Sequence, residues 1–584
     1  MTPTLEAAPA AAPRFFDRVD TSRLVMNGLI ILVILWLVVV VVLPLFQLIS
    51  KSLMDRDGAF VGLANYIHYF RTPALSNSLY NSLSVSLTAT AVSVVLGFLY
   101  AYALTRTRLP GQEIFRGLAM APLFAPTLLN GIGLVYLFGA KGLITRGFFG
   151  AVPGIDIGLY GQVGITISEV LFTFPQAVLI MSIALRMTDA RLYEASDSLG
   201  ASKARTFFTV TLPSVKYGLL SSVFVCFVLA FTDFGAPKVV GGNFNVLAVD
   251  IYKQVIGQQN FVMGAVVGVV LLIPPAAAFI GDRVIQRKQA AMFTGNSVPL
   301  VPGPDRARDW FFLAYCGLIA ALIVAFFATA VFASLVKVWP YNLELGWWHY
   351  TFRGTGGGGY QSFFNSIRMS LYSAVVGTAA TFLSAYLVEK SPGLPLLRQL
   401  AYFLSILPLA LPGLVIGLSY IFFFNSPGWT IMGLEIPNPL NFIYGTMTIL
   451  VFSNVVHFYT VSFLSAATAL KQLDREFESA AESMGVPFWS TFSRVTVPVC
   501  LPAILEIGMY YFVNSMATVS AVIFLYSADI KPAAAAIANM DDAGDIAPAC
   551  AMSVLVVLTN ILARLLYGAC TRGLRRRADA WLAR

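Results

Sequence analysis

The sequence has little charge, and this scarcity limits the kind of protein it can encode. Only 11% of its 584 residues are Asp, Glu, Lys or Arg, whereas 58% are apolar, and the mean hydropathy is +0.76. A soluble domain of this size needs far more charge on its surface. The composition therefore excludes a soluble globular protein and indicates a polytopic membrane protein.

Residues that carry metal, disulfide and phosphate chemistry are also scarce. The chain has three His and five Cys, none with metal-ligand spacing. The cysteines lie in or beside apolar runs, so we predict small buried side chains and no disulfide. No Gly-Lys pair occurs, which excludes a Walker A phosphate loop. A membrane enzyme is disfavoured, and we expect this chain to bind no cofactor or metal itself.

Long apolar runs, by contrast, are frequent. A helix needs about 20 apolar residues to cross a hydrocarbon core about 30 Å thick, and the runs are continuous, which favours helices over barrel strands. The predicted spans are 25–49, 82–104, 115–138, 160–185, 216–235, 262–281, 311–336, 366–388, 400–424, 442–468, 500–526 and 546–568. The sequence therefore predicts an all-α polytopic membrane protein of 12 transmembrane helices, six in each half.

The basic residues predict the orientation of these spans. Most of the 38 Lys and Arg fall on the side of the N-terminus when loops are assigned alternately to the two faces. By the positive-inside rule, both termini are then cytoplasmic. The first span is longer than a signal-peptide core and no cleavage site follows it, so we expect it to be retained. Topology and anionic lipid account for the net charge of +9, and nucleic-acid binding is not predicted.

A polar segment of the first half recurs in the second half, which indicates a tandem duplication. Segments 184–215 and 469–500 align without a gap, with identical pairs such as Asp189/Asp474, Gly200/Gly485 and Pro213/Pro498. The predicted organisation is an N-terminal tail (1–24), a first six-helix repeat (25–282), a linker (283–310), a second repeat (311–572) and a basic C-terminal tail (573–584). Because each repeat has an even number of spans, we expect two parallel repeats about an axis along the membrane normal.

Each copy of the polar segment predicts a short helix and a return to the membrane. In the first copy, residues 189–199 favour a helix, Gly200 suits the left-handed position after a helix end, and Pro213 suits the start of the next span. An isolated amphipathic loop helix would be an ordinary structural feature. Two polar copies in register instead favour a partner with two equivalent binding sites.

These loops resemble the EAA motif of the permease subunits of type I ABC importers. The first copy reads Glu194-Ala195-Ser196, three residues, Gly200, and later Pro213; the second reads Ala480-Ala481, three residues, Gly485, and later Pro498. In the second copy Ser479 occupies the position of the Glu, and Glu478 lies one residue earlier. The resemblance implies that both loops couple to two copies of a separate cytoplasmic ATPase, which binds ATP and Mg²⁺. It also implies an extracytoplasmic solute-binding protein and a location in the bacterial inner membrane.

Further residues resemble a narrower group of fused permeases. Segments 231–237, Gly241-Gly242 and 244–248 are similar to permeases assigned to ferric iron or to 2-aminoethylphosphonate. The fused format and the Gly-rich loop at 354–359 favour 2-aminoethylphosphonate, with ferric iron as the alternative.

Polar residues within the spans are candidates for the translocation pathway, because they are costly in lipid unless they face a cavity or a partner. Glu169 and Asn454 occupy matching positions in the fourth span of each half, and we expect them to face each other across the pathway. Asp233 and Thr518 occupy matching positions near the ends of the fifth spans. The alternatives are a helix-packing hydrogen bond for Glu169 and an interfacial position near Lys238 for Asp233.

The main rival class is a secondary transporter. The major facilitator architecture also has two parallel six-helix repeats, but it carries a signature rich in Gly, Asp and Arg after the second span. Residues 105–111 of this chain read TRTRLPG instead, which disfavours that class.

Overall fold

The computed structural model describes residues 21–290, 298, 300–352, 356–391, 393–431, 434–474, 476–484 and 486–582. Helices predominate. Those of the first half are α1 (Ser22–Ser52), α2 (Pro73–Arg106), α3 (Gln112–Phe124), α4 (Thr127–Phe138), α5 (Gln162–Arg186), α6 (Ala190–Ser198), α7 (Lys203–Thr232), α8 (Gly235–Val240), α9 (Leu247–Tyr252) and α10 (Phe261–Ala290). A short helix, Ala64–Arg71, and a single turn, Gly147–Gly150, lie in the loops between them.

The second half repeats this order and adds two small hairpins. Its helices are α11 (Arg306–Leu335), α12 (Gly359–Lys390), α13 (Pro395–Ala410), α14 (Gly413–Phe424), α15 (Met447–His457), α16 (Tyr459–Lys471), α17 (Glu476–Ser483), α18 (Phe488–Ala517), α19 (Ala533–Asp542) and α20 (Ile546–Leu582). Strands β1 (Val336–Val338) and β2 (Asn342–Leu345) pair antiparallel, as do β3 (Gly428–Ile431) and β4 (Leu434–Pro437). The hairpins are the only strands among the described residues, and the apolar pattern did not predict them.

Three predicted spans are bent instead of straight. The third span breaks by 104° between α3 and α4, and its counterpart breaks by 112° between α13 and α14. In both cases a proline, Pro126 or Pro412, lacks the N–H that would continue the helix, and it forces the preceding residue into an extended conformation. The fourth span of the second half bends by 57° between α15 and α16. Counting each bent pair as one span gives up to 12 spans in the described chain, as the sequence predicted.

The first helix of each half packs against the other half. Helix α1 contacts α12, α13 and α14, and the hydroxyl of Tyr420 donates to the Val40 carbonyl at 2.9 Å. Reciprocally, α11 contacts α2, α3 and α4, and the Tyr315 hydroxyl donates to the Leu96 carbonyl at 2.8 Å. The two repeats are sequential in the chain but interlocked in space.

The fifth spans end earlier than the hydropathy suggested. Helix α7 stops at Thr232 and α18 at Ala517, so the predicted spans 216–235 and 500–526 overrun them. Short elements follow: α8 and α9 in the first half, and a run of turns over 518–526 with α19 in the second. These elements meet between the halves. We call this the outer end of the molecule, and we call the end carrying α6 and α17, predicted to be cytoplasmic, the inner end.

Candidate functional site: inner loops and the cavity between the halves

The first inner loop is a capped helix followed by a tight reversal. The Asp189 carboxylate accepts the Arg191 N–H at 3.1 Å and so caps α6. Gly200 follows the helix with φ +66°, the left-handed conformation that the sequence predicted. The buried hydroxyls of Ser196 and Thr206 lie 2.7 Å apart and tie α6 to the start of α7. The loop is therefore held in a defined conformation by these contacts.

A basic residue at the end of α2 holds this loop against the membrane helices. Buried Arg106 donates to the Leu185 carbonyl at 2.6 Å and also to the Thr188 hydroxyl. Its guanidinium lies 5.1 Å from the centre of the Tyr193 ring, in α6. Charge and ring attract each other, and more strongly where water is excluded. Arg106 thus links the end of the fourth span to the loop helix.

The second inner loop has a tether in the corresponding place with different chemistry. Lys390, the last residue of α12, forms an ion pair with Glu478 of α17 at 3.1 Å and donates to the Leu473 carbonyl at 3.3 Å. The side chain of Lys390 is 7% exposed. Glu478 is therefore engaged within its own chain. Gly485 lies outside the described residues.

Both loops present apolar side chains to solvent. Leu199 and Leu192 are 85% and 50% exposed on the first loop, and Met484 and Phe477 are 73% and 49% exposed on the second. Paired apolar patches on polar loops are typical of an interface that a partner covers. The predicted coupling residues Glu194, Ala195, Ser479, Ala480, Pro213 and Pro498 are exposed beside them, Ala481 is half-buried, and Ser196 is buried.

Near the start of each fifth span, the helix contains a π-helical turn, which is wider than an α-helical turn. Wider π-helical turns occur at Phe207–Thr211 and Phe492–Thr496, which occupy aligned positions of the two repeats, and Pro213 and Pro498 follow them. Such turns insert into α-helices at some cost and frequently mark functional sites. Their recurrence in both halves indicates that the geometry of the loop relative to its span is maintained.

A cavity of about 200 Å³ lies between the halves. Helices α7 and α10 of the first half face the α13–α14 break, α15, α16 and α18 of the second. Its polar lining includes Thr232, Asp282, His457 and Tyr510. Residues 408–412, at the break between α13 and α14, form part of its wall.

The residues predicted to line a pathway lie elsewhere. Glu169 is fully buried beside the Asp233 carboxyl of its own half, and Asp233 accepts the Ala236 N–H at 3.0 Å. Asn454 is buried in α15, which packs on second-half helices and α1, and Thr518 ends α18. The structure does not bring Glu169 and Asn454 together, and none of the four residues lines the cavity. Glu169 instead points toward the break after the fifth span of its own half. In the second half, Ser453, next to Asn454, donates to the Ala521 carbonyl in the matching break.

Comparison with known proteins identifies the family of this chain. The family model described as "binding-protein-dependent transport system inner membrane component" matches residues 93–339 and again 363–576. The two matches cover most of the chain. The chain belongs to this family. It is a fused, two-domain permease of an ABC importer, and the major facilitator alternative is thereby set aside.

Several curated proteins are similar to this permease. A ferric transport system permease protein of Actinobacillus pleuropneumoniae is 28% identical over 83% of this chain and 69% of its own length. A Haemophilus influenzae protein named as a ferric transport system permease is 29% identical over 77% of this chain and 70% of its own. A Salmonella choleraesuis protein named as a 2-aminoethylphosphonate transport system permease is 23% identical over 39% of this chain and 82% of its own.

An ion cluster joins the two halves at the outer end of the permease. Lys238 of α8 donates to the Asp542 and Asp541 carboxylates at 2.8 and 3.2 Å and to the Ala538 carbonyl at 3.0 Å, all in α19. The Lys238 side chain is only 5% exposed. The Tyr252 hydroxyl also donates to Asp542 at 3.0 Å. These contacts link α8 of the first half to α19 of the second.

Sequence reasoning missed a polar link between the fifth and sixth spans. In the first half the Ser221 hydroxyl donates to Asp282 at 2.7 Å; in the second, Arg564 pairs with Glu506 at 2.7 Å. Ser221 and Glu506 occupy aligned positions of the two repeats. The duplication itself was the signal that could have found them, by comparing polar positions in matching spans.

In the part of the chain described, no group of three or more His, Cys, Asp or Glu side chains is placed to hold a metal ion.

Proposed function

We propose that this permease forms the pathway of an importer for ferric iron. The observation that carries the proposal is the pair of relatives named for ferric transport, which align over both repeats, 77% and 83% of the chain. The relative named for 2-aminoethylphosphonate aligns over 39%, less than the two repeats together. That substrate, which the Gly-rich loop favoured, becomes the second candidate.

The inner loops supply the proposed connection to a separate ATPase, present in two copies. Two exposed apolar patches on two capped helices suit two equivalent grooves. Each loop is tied by Arg106 or Lys390 to the membrane helices, so movement of a docked ATPase subunit is passed to the fourth and fifth spans. ATP and Mg²⁺ bind to that partner, which makes this chain a transport subunit without catalytic residues.

The remaining parts fit alternating access. The cavity of about 200 Å³ between the halves offers the passage, and the Lys238 cluster closes its outer end. An extracytoplasmic solute-binding protein would deliver the cargo and supply most of the selectivity. We propose an inner-membrane location with both termini cytoplasmic, which places the loops on the side where ATP is hydrolysed.

Asp233 and Glu169 retain a proposed role beside the pathway. Two neighbouring carboxyl groups in a buried setting repel each other unless a proton or a cation lies between them. We expect Asp233→Ala to lower uptake without raising ATP hydrolysis in the absence of cargo, because the variant removes one member of the buried carboxyl pair. Thr518→Val is the matched control in the second half. Normal uptake by the Asp233 variant would make that residue purely structural.

Reconstitution tests the substrate directly. The tagged chain is purified with its co-purifying ATPase and binding protein and placed in liposomes containing ATP. Accumulation of radioactive iron that requires the binding protein, with no accumulation of 2-aminoethylphosphonate, is the expected result. Accumulation of the phosphonate alone would transfer the assignment to the second candidate. If the binding protein stimulates ATP hydrolysis neither when loaded with ferric iron nor when loaded with 2-aminoethylphosphonate, both candidate substrates are contradicted.

A further inference from the structure

A second and larger cavity lies at the inner end of the permease. It has a volume of about 880 Å³. One wall is the last part of α10, with Phe279 and Arg283; the other is the end of α12 and the length of α13, with Arg398, Tyr402 and Phe403. The cavity therefore lies between the first half and the second, at the depth where α10 and α12 leave the membrane.

Arg283 has unmet hydrogen-bonding capacity in this cavity. Its Nε and Nη2 atoms are buried and have no acceptor among the described residues. Its guanidinium lies 5.2 Å from the centre of the Phe279 ring on the same helix. Buried N–H groups without acceptors are unfavourable, and more so when the group is charged. The two buried N–H groups of Arg283 are therefore placed to donate to an anionic ligand.

A second guanidinium adds to the positive charge. Arg398 is oriented by its Nε, which donates to the Val388 carbonyl at 2.7 Å, and it lines the same cavity. Glu389 is the acidic residue in the wall, and Lys471 lies 3.4 Å from it. The wall thus carries two arginines against one carboxylate that already has a cationic partner. Asp282, next to Arg283 in the chain, lines the neighbouring cavity and accepts from Ser221. With Lys471 counted, the three basic groups still outnumber the two carboxylates.

The duplication shows that the fold does not require these charges. Arg283 aligns with Gly568 in the second half, and Arg398, through the paired Pro122 and Pro408, aligns with Gln112 in the first. Residues that both repeats need for packing or capping recur, as Pro213 and Pro498 do. A charged pair present on one side only points to a ligand and not to helix packing.

We propose that this cavity binds the phosphate group of an anionic ligand, supplied by a phospholipid of the inner leaflet. Guanidinium groups match the oxygens of phosphate through paired hydrogen bonds. The aromatic and apolar wall formed by Phe279, Tyr402 and Phe403 suits the first part of an acyl chain. Basic pockets between spanning helices on the cytoplasmic side bind lipid headgroups in this manner. A lipid held there joins α10 of one half to α13 of the other.

Lipid binding to the full chain in nanodiscs tests the site. The midpoint of thermal unfolding is measured in phosphatidylcholine alone and with added phosphatidylglycerol, and retained lipid is counted by native mass spectrometry. The proteins are wild type, R283Q, R398Q, R283Q/R398Q and the control R116Q, whose arginine pairs with Glu113 on the surface of α3. We expect phosphatidylglycerol to stabilise wild type and R116Q. The double variant should bind phosphatidylglycerol roughly thirtyfold more weakly, because each lost arginine removes about 1 kcal/mol of attraction to an anionic headgroup.

Inorganic phosphate, added to the protein in phosphatidylcholine, distinguishes the sources. Stabilisation by phosphate with no effect of phosphatidylglycerol, lost in the double variant, assigns the site to a soluble phosphate group. The proposal is overturned if neither probe stabilises wild type, or if both act equally on wild type and the arginine variants. The readout is the ligand-dependent shift, so a lower basal stability of R398Q, which loses its bond to Val388, does not affect the comparison. The single variants decide the matter if the double variant does not fold.

Discussion

The two halves of this permease agree closely in their inner loops and disagree at the outer end. At the inner end, Arg106 and Lys390 end matching helices and hold matching loops, one through the Tyr193 ring and the other through the Glu478 carboxylate. At the outer end, Lys238 and Asp542 pair across the halves, but their sequence counterparts are Ile523 and Gly257. The duplicated pattern is maintained in the loops for which we propose two equivalent ATPase contacts. It diverges at the contact between the halves, where we propose that the cargo passes.

Of the substitutions that test this comparison, those at Gly200 should have the largest effect on uptake. Gly200 has φ +66° and open space around it, so a side chain there strains the backbone but meets no neighbour. We expect Gly200→Trp to lower uptake more than about tenfold while ATP hydrolysis continues, because the added ring would lie in the proposed ATPase interface and not in the core. Uptake and ATP hydrolysis are measured in the same liposomes.

Gly200→Ala is the control for that experiment. It carries the same backbone strain, of order 1 kcal/mol, without the bulk. If Ala and Trp reduce uptake equally, the strain and not the interface explains the loss. Gly485→Trp then asks whether the second loop is equally sensitive, as two equivalent docking sites require.

Removal of Lys238 should come next in size. Lys238→Met leaves two carboxylates facing each other without their buried cation, and this opens the contact between α8 and α19. We expect ATP hydrolysis without binding protein to rise several-fold and cargo uptake to fall. The exchanged variant K238D/D542K should recover part of the coupling. Hydrolysis unchanged in Lys238→Met would show that the cluster is not part of the outer closure.

Loss of the two inner tethers, Arg106 and Lys390, should differ in whether a second substitution restores uptake. Lys390→Gln leaves the Glu478 carboxylate without its cation, and we expect a several-fold loss of uptake that Glu478→Gln largely restores. Arg106→Gln removes donors to the Leu185 carbonyl and the Thr188 hydroxyl, so Tyr193→Phe should not restore it. Double-mutant cycles of uptake measure both couplings. Equal rescue in the two halves would mean that the tethers are chemically alike.

The smallest effect is expected from the linker contact near the first loop. Lys203 donates to Asp305, and this hydrogen bond lowers the pKa of the Asp305 carboxyl below its usual value. Its stabilising effect is therefore present at neutral pH and is lost as the pH falls through the lowered pKa. Because the pair is exposed, Asp305→Asn should change the midpoint of thermal unfolding only slightly at pH 7. A large shift would indicate that the linker holds the first loop in place.

Much of the architecture could be predicted because it follows from short-range patterns. Apolar run length gives the number of spans, the recurring polar segment gives the two halves, and Asp189 and Gly200 give the ends of α6. The bends at Pro126 and Pro412 were visible as prolines, but their angles depend on what the two arms pack against. The hairpins, such as β3 with β4, are set by loop packing that hydropathy does not register.

Contacts between distant residues could not be predicted. Any apolar helix surface suits lipid or another helix, so the exchange of α1 and α11 is decided by the fit of side chains such as Tyr420 against Val40. The partners of Lys238 are about 300 residues away in the sequence. The polar positions Glu169 and Asn454 were easy to notice, yet their direction around the helix axis was not. Polarity marks a residue as constrained without saying which neighbour constrains it.

The exchange of first helices has a consequence for biosynthesis. Val40 and its partner Tyr420 are 380 residues apart. At 5 to 20 residues per second, roughly 20 to 80 seconds pass between the emergence of the two from the ribosome. During that time α1 is in the bilayer without the second-half helices that it will finally contact. The first repeat therefore cannot complete its fold on its own, and assembly ends only after the second repeat has been inserted.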